Sequence, residues 1–459
     1  APSRHHLQRL TFIAPSATVP YVPDSPQPLP NSTAAEAKFS HHPQFSFLIA
    51  RWKMAESSGR DASQRSPTPK PTTESSPRKK KSGHILVETW KDLPSDARRN
   101  VLRAGISIED ATTHFRILLA ILRFKTHVDY YLKSDYENRP RVKPRRHNTG
   151  QSLVHPGIVS TADYGEEERE LVDTHYSRKD YKTSHQVGKG GYGKVYLSKS
   201  SPDRANVAIK RVPYTSSKDK RKALQEVRFL RYCGEHPNIV GIHRAHLVKE
   251  ELWMVMEYLE GATLMQAVSI HKFSELQIAY IARYMLKAIY FLHTNQIAHR
   301  DLKSSNVMLT TSGSVKLIDL GLCTDVSQGQ VTHMVGSPFW MPPEMIRKEP
   351  HGLPVDIWSY AICLMEIANG RLPHRKSSML AMFKAATEGF PDPLDSVRKW
   401  TAPFLDFLRL CLHSDPTQRA TASVLLDHPW LQKRARRSDM KIIFAQLHSA
   451  NLLTQTTYH

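Results

Sequence analysis

Hydrophobic and polar positions divide the chain into stretches of different character. From Ala1 to about Gly83 the apolar residues follow no period, and Pro, Ser, Thr and His are frequent. Such a segment buries too little apolar surface to offset the entropy of ordering it, so residues 1–83 read as disordered. Between Leu93 and about Leu132 a helical period appears. Phe115, Leu118, Leu119 and Leu122 recur at helical spacing, and so do Ile117, Ile121 and Phe124. Ser107-Ile108-Glu109-Asp110 resembles a capping box opening the stretch Ala111 to Lys125. Two apolar faces are too many for an isolated surface helix. Residues 84–135 therefore form a helical segment that packs on a partner, on its own copy or on a later part of the chain. Residues 136–180 return to linker composition, with a basic, Pro-broken run from Arg139 to His147 and an acidic patch from Glu166 to Glu170.

From about residue 181 the pattern is that of a continuous globular domain. Val195-Tyr196-Leu197 and Val207-Ala208-Ile209-Lys210 read as strands around a turn at Ser201-Pro202-Asp203, and Trp253-Met254-Val255-Met256 as another. Further on the periodicity becomes helical, as in Gln277 to His293 and Ala402 to Leu412. A small strand-rich part followed by a larger helical part predicts an α+β domain of two lobes with a cleft between them, over 181–431. Residues 432–459 read as a basic C-terminal tail.

Composition narrows the setting. The 459 residues leave room for two or three domains, and 40% hydrophobic content implies that part of the chain is unpacked. The net charge of +21 suits nucleic acid, an anionic membrane, acidic proteins, or basic linkers around an ordinary domain. The run Arg78-Lys79-Lys80-Lys81 sits in linker composition, which favours the last reading, with nuclear import and membrane contact as alternatives. No nucleic-acid recognition motif accompanies the basic runs, so a nucleic-acid partner is not expected. Cys233, Cys323, Cys363 and Cys411 form no C-x-x-C pair, so neither a zinc site nor a disulfide framework is expected. The expected setting is the cytoplasm, with the nucleus as the alternative. No window approaches the roughly 20 apolar residues of a membrane span, and no signal pattern opens the chain. Its first residue is Ala rather than Met, which points to a processed or partial start.

The candidate chemistry centres on His299-Arg300-Asp301-Leu302-Lys303-Ser304-Ser305-Asn306. Phosphoryl transfer needs an Asp to orient a hydroxyl, a Lys to neutralise phosphate charge and an Asn to hold a metal ion. Upstream, Gly188-Lys189-Gly190-Gly191-Tyr192-Gly193-Lys194-Val195 is a G-x-G-x-x-G run. Dinucleotide-binding folds use the same spacing, but there a helix follows the glycines; here strand residues follow. That favours a hairpin whose backbone amides cover phosphates. Lys210 closes an apolar strand, and Glu226 is the only acidic residue between Lys220 and Cys233 that is available to hold it. Asp319, just before the hinge Gly321 in Asp319-Leu320-Gly321, suits Mg²⁺ coordination together with Asn306. Glu344 and Arg419 suit a buried ion pair anchoring the helical part.

Taken in order, these motifs resemble the eukaryotic protein kinase family over about Lys182 to Leu431. The resemblance implies a serine/threonine kinase using ATP and Mg²⁺ on protein substrates. Asp301 would accept the substrate proton and Lys303 would stabilise the transferring phosphoryl group. Asn306 and Asp319 would hold Mg²⁺, and Lys210, fixed by Glu226, would position the α- and β-phosphates. Val187 to Val195 would cover the nucleotide, while Ala208, Met256, Glu257 and Leu259 would line the adenine pocket. Leu322 is placed where a large apolar residue accompanies serine preference. A pseudokinase scaffold is the alternative.

Leu252 to Gly261 and Met334 to Met341 look like the group activated by Rho-type GTPases, the PAK group, with Met256 as gatekeeper. Leu93 to Phe124 is similar to the autoinhibitory segment of that group. The sequence departs from the pattern in four places. Leu320 replaces Phe, Pro342 replaces Ala, and the GTPase-binding signature is not visible upstream of Leu93, with His84-Ile85 as its nearest remnant. His333 stands where the group has a phosphorylated threonine paired with the arginine corresponding to Arg300. Thr332 is the adjacent substitute, and the kinase is otherwise expected to be constitutively or weakly active.

Overall fold

The computed structural model describes residues 87–126, 168, 170–173, 180–190, 193–201, 204–390, 394 and 400–456. The readings of disorder over 1–83, of the basic runs before residue 84 and over 139–147, of most of the acidic patch and of the turn at Pro202-Asp203 lie outside them.

Alternating apolar residues build a five-stranded antiparallel sheet. Its strands are β1 (Tyr181–Gly190), β2 (Gly193–Ser200), β3 (Asn206–Pro213), β4 (Ile242–Val248) and β5 (Glu251–Glu257), in the spatial order β1-β2-β3-β5-β4. One helix joins this lobe, Ser217–Cys233. It begins at Ser216, whose side chain accepts from the Asp219 amide at 3.1 Å, and it buries Leu224, Val227 and Leu230. Glu226 lies on the same buried face and so is turned inward.

The larger lobe is helical. Glu275–Thr294 and Pro354–Asn369 form its centre, and Trp358 and Tyr360 are fully enclosed. The buried ion pair expected there is present and bidentate, with Arg419 Nη1 to Glu344 Oε1 at 2.7 Å and Nη2 to Oε2 at 3.0 Å. The lobes are tied behind the cleft. Asn238 Nδ2 donates to the Val315 carbonyl at 2.8 Å, and the Val240 amide to the Leu317 carbonyl at 2.8 Å.

Residues before the sheet pack onto this helical lobe. Three helices, Ser95–Arg103, Ile108–Thr113 and Phe115–Thr126, bury Val101, Ala111, Leu118 and Ile121 in the common core. Ser107 caps the second helix by accepting from the Asp110 amide at 3.0 Å. The single helix expected from Ala111 to Lys125 is interrupted at His114, whose φ of −109° and ψ of 35° leave the helical region. The break turns the His114 ring edge-on to Phe383, with centroids 5.9 Å apart. Lys125 Nζ reaches Ser378 Oγ at 2.5 Å. Both contacts fall on the helix Ser378–Thr387.

The region 432–459, read from the sequence as a basic tail, contains a 20-residue helix, Arg437–Thr456. Met440, Phe444 and Leu447, at i, i+4 and i+7, are buried on its inner face. His448 Nδ1 meets the Gly261 carbonyl at 2.9 Å, just beyond β5.

Candidate active site

Between the lobes, a shared register brings distant residues together. Strands β1 and β2 pair Gly188 with Val195 and Gly190 with Gly193, so the glycine run forms a hairpin followed by a strand. A Cβ at residue 193 would lie 2.4 Å from the Arg211 carbonyl oxygen, and its φ is +149°, so only glycine fits. Gly191 and Tyr192, at the hairpin turn, lie outside the described residues. Pairing of β3 with β5 sets Ala208 opposite Met256. Glu257 Oε1 accepts from the Gly241 amide at 2.7 Å and from Lys316 Nζ at 2.6 Å. Its side chain thus joins the lobe connection.

Lys210 is buried, with Nζ 2.5 Å from Glu226 Oε1 and 3.1 Å from Asp319 Oδ1. Burial opposes its charge, but Glu226 and Asp319 outweigh that and raise its pKa above the ordinary lysine value. Burial likewise opposes ionisation of Asp319, but Lys210 and the Gly321 amide outweigh it and lower its pKa. That amide donates to Asp319 Oδ1 at 3.1 Å. Leu320, in the centre of the triplet, is fully buried, so the substituted residue still fills the core.

Across the cleft, Asp301 is locked on both oxygens. Ser337 Oγ donates to Oδ1 at 2.8 Å, and Lys303 Nζ to Oδ2 at 2.7 Å. Lys303 also donates to Ser337 Oγ at 2.9 Å. Asn306 Nδ2 donates to the Asp301 carbonyl at 3.0 Å, which leaves its side-chain oxygen as an acceptor. From below, Asp356 accepts from the His299 amide through Oδ2 and from the Arg300 amide through Oδ1, each at 2.8 Å. Arg300 holds a left-handed φ of 65°. Gly336 passes close by, where a Cβ would lie 2.4 Å from the Arg300 carbonyl oxygen.

The sequence did not reveal roles for Ser337 and Asp356. Ser337 lies in the stretch Met334 to Met341, but nothing in the spacing of either residue states that it meets the loop 299–306. Thr332 and His333 are exposed. Arg300 Nε donates to the Leu322 carbonyl at 3.0 Å. Buried His351 stands near both Arg300 and His333. Burial chiefly lowers its pKa, and those two neighbours add to the effect.

Asn306 and Asp319 offer oxygen donors to a hard cation, and no set of three His, Cys, Asp or Glu groups suited to metal occurs among the described residues. Two protein oxygens completed by phosphate and water match the preference of Mg²⁺. A family profile described as "Protein kinase domain" matches residues 181–431. The chain belongs to the protein kinase family. It is 48% identical over 285 residues to the probable serine/threonine-protein kinase mkcC of Dictyostelium discoideum, covering 62% of this chain and 32% of that protein. To mkcB of the same organism it is 41% identical over 380 residues, covering 82% and 50%. It is also 38% identical over 277 residues to serine/threonine-protein kinase PAK 1 of Mus musculus, covering 60% of this chain and 50% of that protein. The chain thus spans half or less of the length of these relatives. No helix among the described residues is long and apolar enough to cross a membrane.

Proposed function

We propose that the protein transfers the γ-phosphoryl group of ATP to serine or threonine hydroxyls of proteins. The observation that carries this reading is Asp301, whose carboxylate is oriented by Lys303 and Ser337 beside Asn306. Asp301 orients the substrate hydroxyl and accepts its proton. Lys303 stabilises the phosphoryl group in transit, and Lys210, held by Glu226, positions the α- and β-phosphates. Asn306 and Asp319 would hold Mg²⁺, which when bound neutralises phosphate charge. The residues thus supply position and preset charge, the main needs of phosphoryl transfer. Incorporation of radiolabelled phosphate into a protein substrate tests it. Asp301→Asn should lower the rate by about 10²–10⁴-fold. Equal incorporation by both proteins would instead identify a scaffold with background labelling.

We also propose that residues 87–126 restrain this activity. They pack against the helical lobe and reach Ser378 and Phe383. Removing the chain before Tyr181 should raise the rate roughly tenfold, a typical coupling between two sites. Leu118→Asp in the full chain should act in the same direction, and unchanged or lower rates in both would overturn the restraint. A Rho-type GTPase could release such a restraint, but it would have to engage something other than the signature missing upstream of Leu93. The proposed location is the cytoplasm, or the nucleus through the basic run.

A further inference from the structure

A cavity of about 720 Å³ lies outside the cleft. It is bounded by the loop at His236–Asn238, the helix Glu275–Thr294, the turn at Gly313 and Arg437 at the start of the C-terminal helix. None of the residues assigned to ATP lines it. Its size falls in the range of small-ligand sites, roughly 300–1,000 Å³.

Its walls are aromatic. His236 stacks on Phe291, with centroids 4.9 Å apart and planes inclined by 28°. Tyr280 and Tyr284 lie 4.8 Å apart. The Tyr280 hydroxyl donates to the Gly313 carbonyl at 2.7 Å, so its polar tip is engaged and its ring remains as wall. The charge at the cavity has one sign. Lys287 and Arg437 line it, and no carboxylate does. Lys287 Nζ sits 5.3 Å over the Tyr284 ring, and it makes no ion pair among the described residues. Among the described residues Arg437 donates long bonds, to Ser312 O at 3.4 Å and Ser314 Oγ at 3.3 Å. A solvated surface dent explains one such lysine, but not stacked rings and two cations without a carboxylate around one space.

We propose that this cavity binds an aryl anion, with its flat ring against the aromatic walls and its phosphate or carboxylate toward Lys287 and Arg437. Rings favour stacking and cation–π contacts, and a phosphate satisfies unpaired cations. The inference goes beyond phosphoryl transfer, because binding here requires no turnover. The position also matters for the cleft. Asn238, in the cavity wall, accepts from the Leu317 amide at 2.9 Å through its carbonyl, two residues before Asp319.

The test is calorimetric titration of the full chain with phenyl phosphate, with the cleft saturated by a non-hydrolysable ATP analogue. Binding of that analogue is measured separately, so its failure reports on the ATP reading alone. Saturable 1:1 binding is expected, weakened at least tenfold by Lys287→Glu and by Tyr284→Ala. Phenol and inorganic phosphate should each bind less tightly than phenyl phosphate. A phosphotyrosine peptide that binds more tightly than phenyl phosphate would make the natural source a protein segment, and equal affinity would make it a free small molecule; both support the aryl-anion site. A cooperative melt confirms that each variant is folded, and Lys287→Gln serves if Lys287→Glu is not. No saturable binding, or unchanged affinity in folded Lys287 and Tyr284 variants, overturns the proposal.

Discussion

The loop 299–306 and the segment 331–337 meet at Asp301, yet they are built differently. In the loop, His299, Asp301, Ser304 and Asn306 are buried, and Asp356 holds two backbone amides from beneath. In the facing segment, Thr332 and His333 are exposed, while Ser337 reaches in to Asp301. A site that works by placing charge needs the first region fixed permanently. The second can be left to a modification that adds charge when required.

The strongest way to break this contrast is to loosen the fixed side. Asp356→Ala leaves the His299 and Arg300 amides without their acceptor in a buried place. Stability should fall by about 3 kcal/mol, read as a lower urea midpoint. A loss below about 1 kcal/mol would mean that the loop holds its shape without Asp356.

A second effect of similar size depends on pH. Glu366 lies in the central helix Pro354–Asn369, and burial pushes its pKa up to about 7 from the ordinary 4.5, partly offset by the nearby Ser304 hydroxyl. A raised carboxyl pKa means that the folded state favours the protonated form. That stabilisation is complete below pH 4.5 and is lost as pH rises through about 7. It amounts to about 3 kcal/mol. Glu366→Gln cannot ionise, so its stability relative to the parent should rise by about that amount between pH 4.5 and 8. A difference that is flat with pH would show that Glu366 stays in one protonation state.

The smallest expected effect sharpens the adjustable side. The proposed regulatory phosphate is one on Thr332, beside His333, that pairs with Arg300. Thr332→Ala should then lower the rate by about tenfold, or about 1.4 kcal/mol. An unchanged rate would exclude Thr332 and leave His333 as an unmodified substitute for the phosphate.

The sequence-based reading was strongest where a residue's role follows from local pattern. Lys210 ends an apolar strand and Glu226 lies on a helix with no rival carboxylate, and the fold places them 2.5 Å apart. The strands around Val207 and Trp253 and the helix over Gln277–His293 likewise follow from periodicity. The pattern is weaker where neighbouring residues blur it. Over 432–459 a basic cluster at 433–437 precedes the Met440, Phe444 and Leu447 stripe, and exposed Ile442, Leu452 and Leu453 obscure its period. The break at His114 was hidden because a single residue leaving the helical region barely disturbs the apolar spacing on either side.

By itself, the sequence determined which groups the protein has for handling phosphate and in what order, because strand, turn and helix signals act over a few residues. Tertiary structure alone decided that Ser337 and Lys303 lock Asp301, that Asp356 supports the loop and that Glu257 turns toward Lys316. It also decided where the helices before Thr126 dock and how aromatic rings and cations come to surround one cavity. Apart from the local Lys303–Asp301 bond, such contacts join positions tens to hundreds of residues apart, and only packing of whole elements brings them within hydrogen-bonding or van der Waals distance.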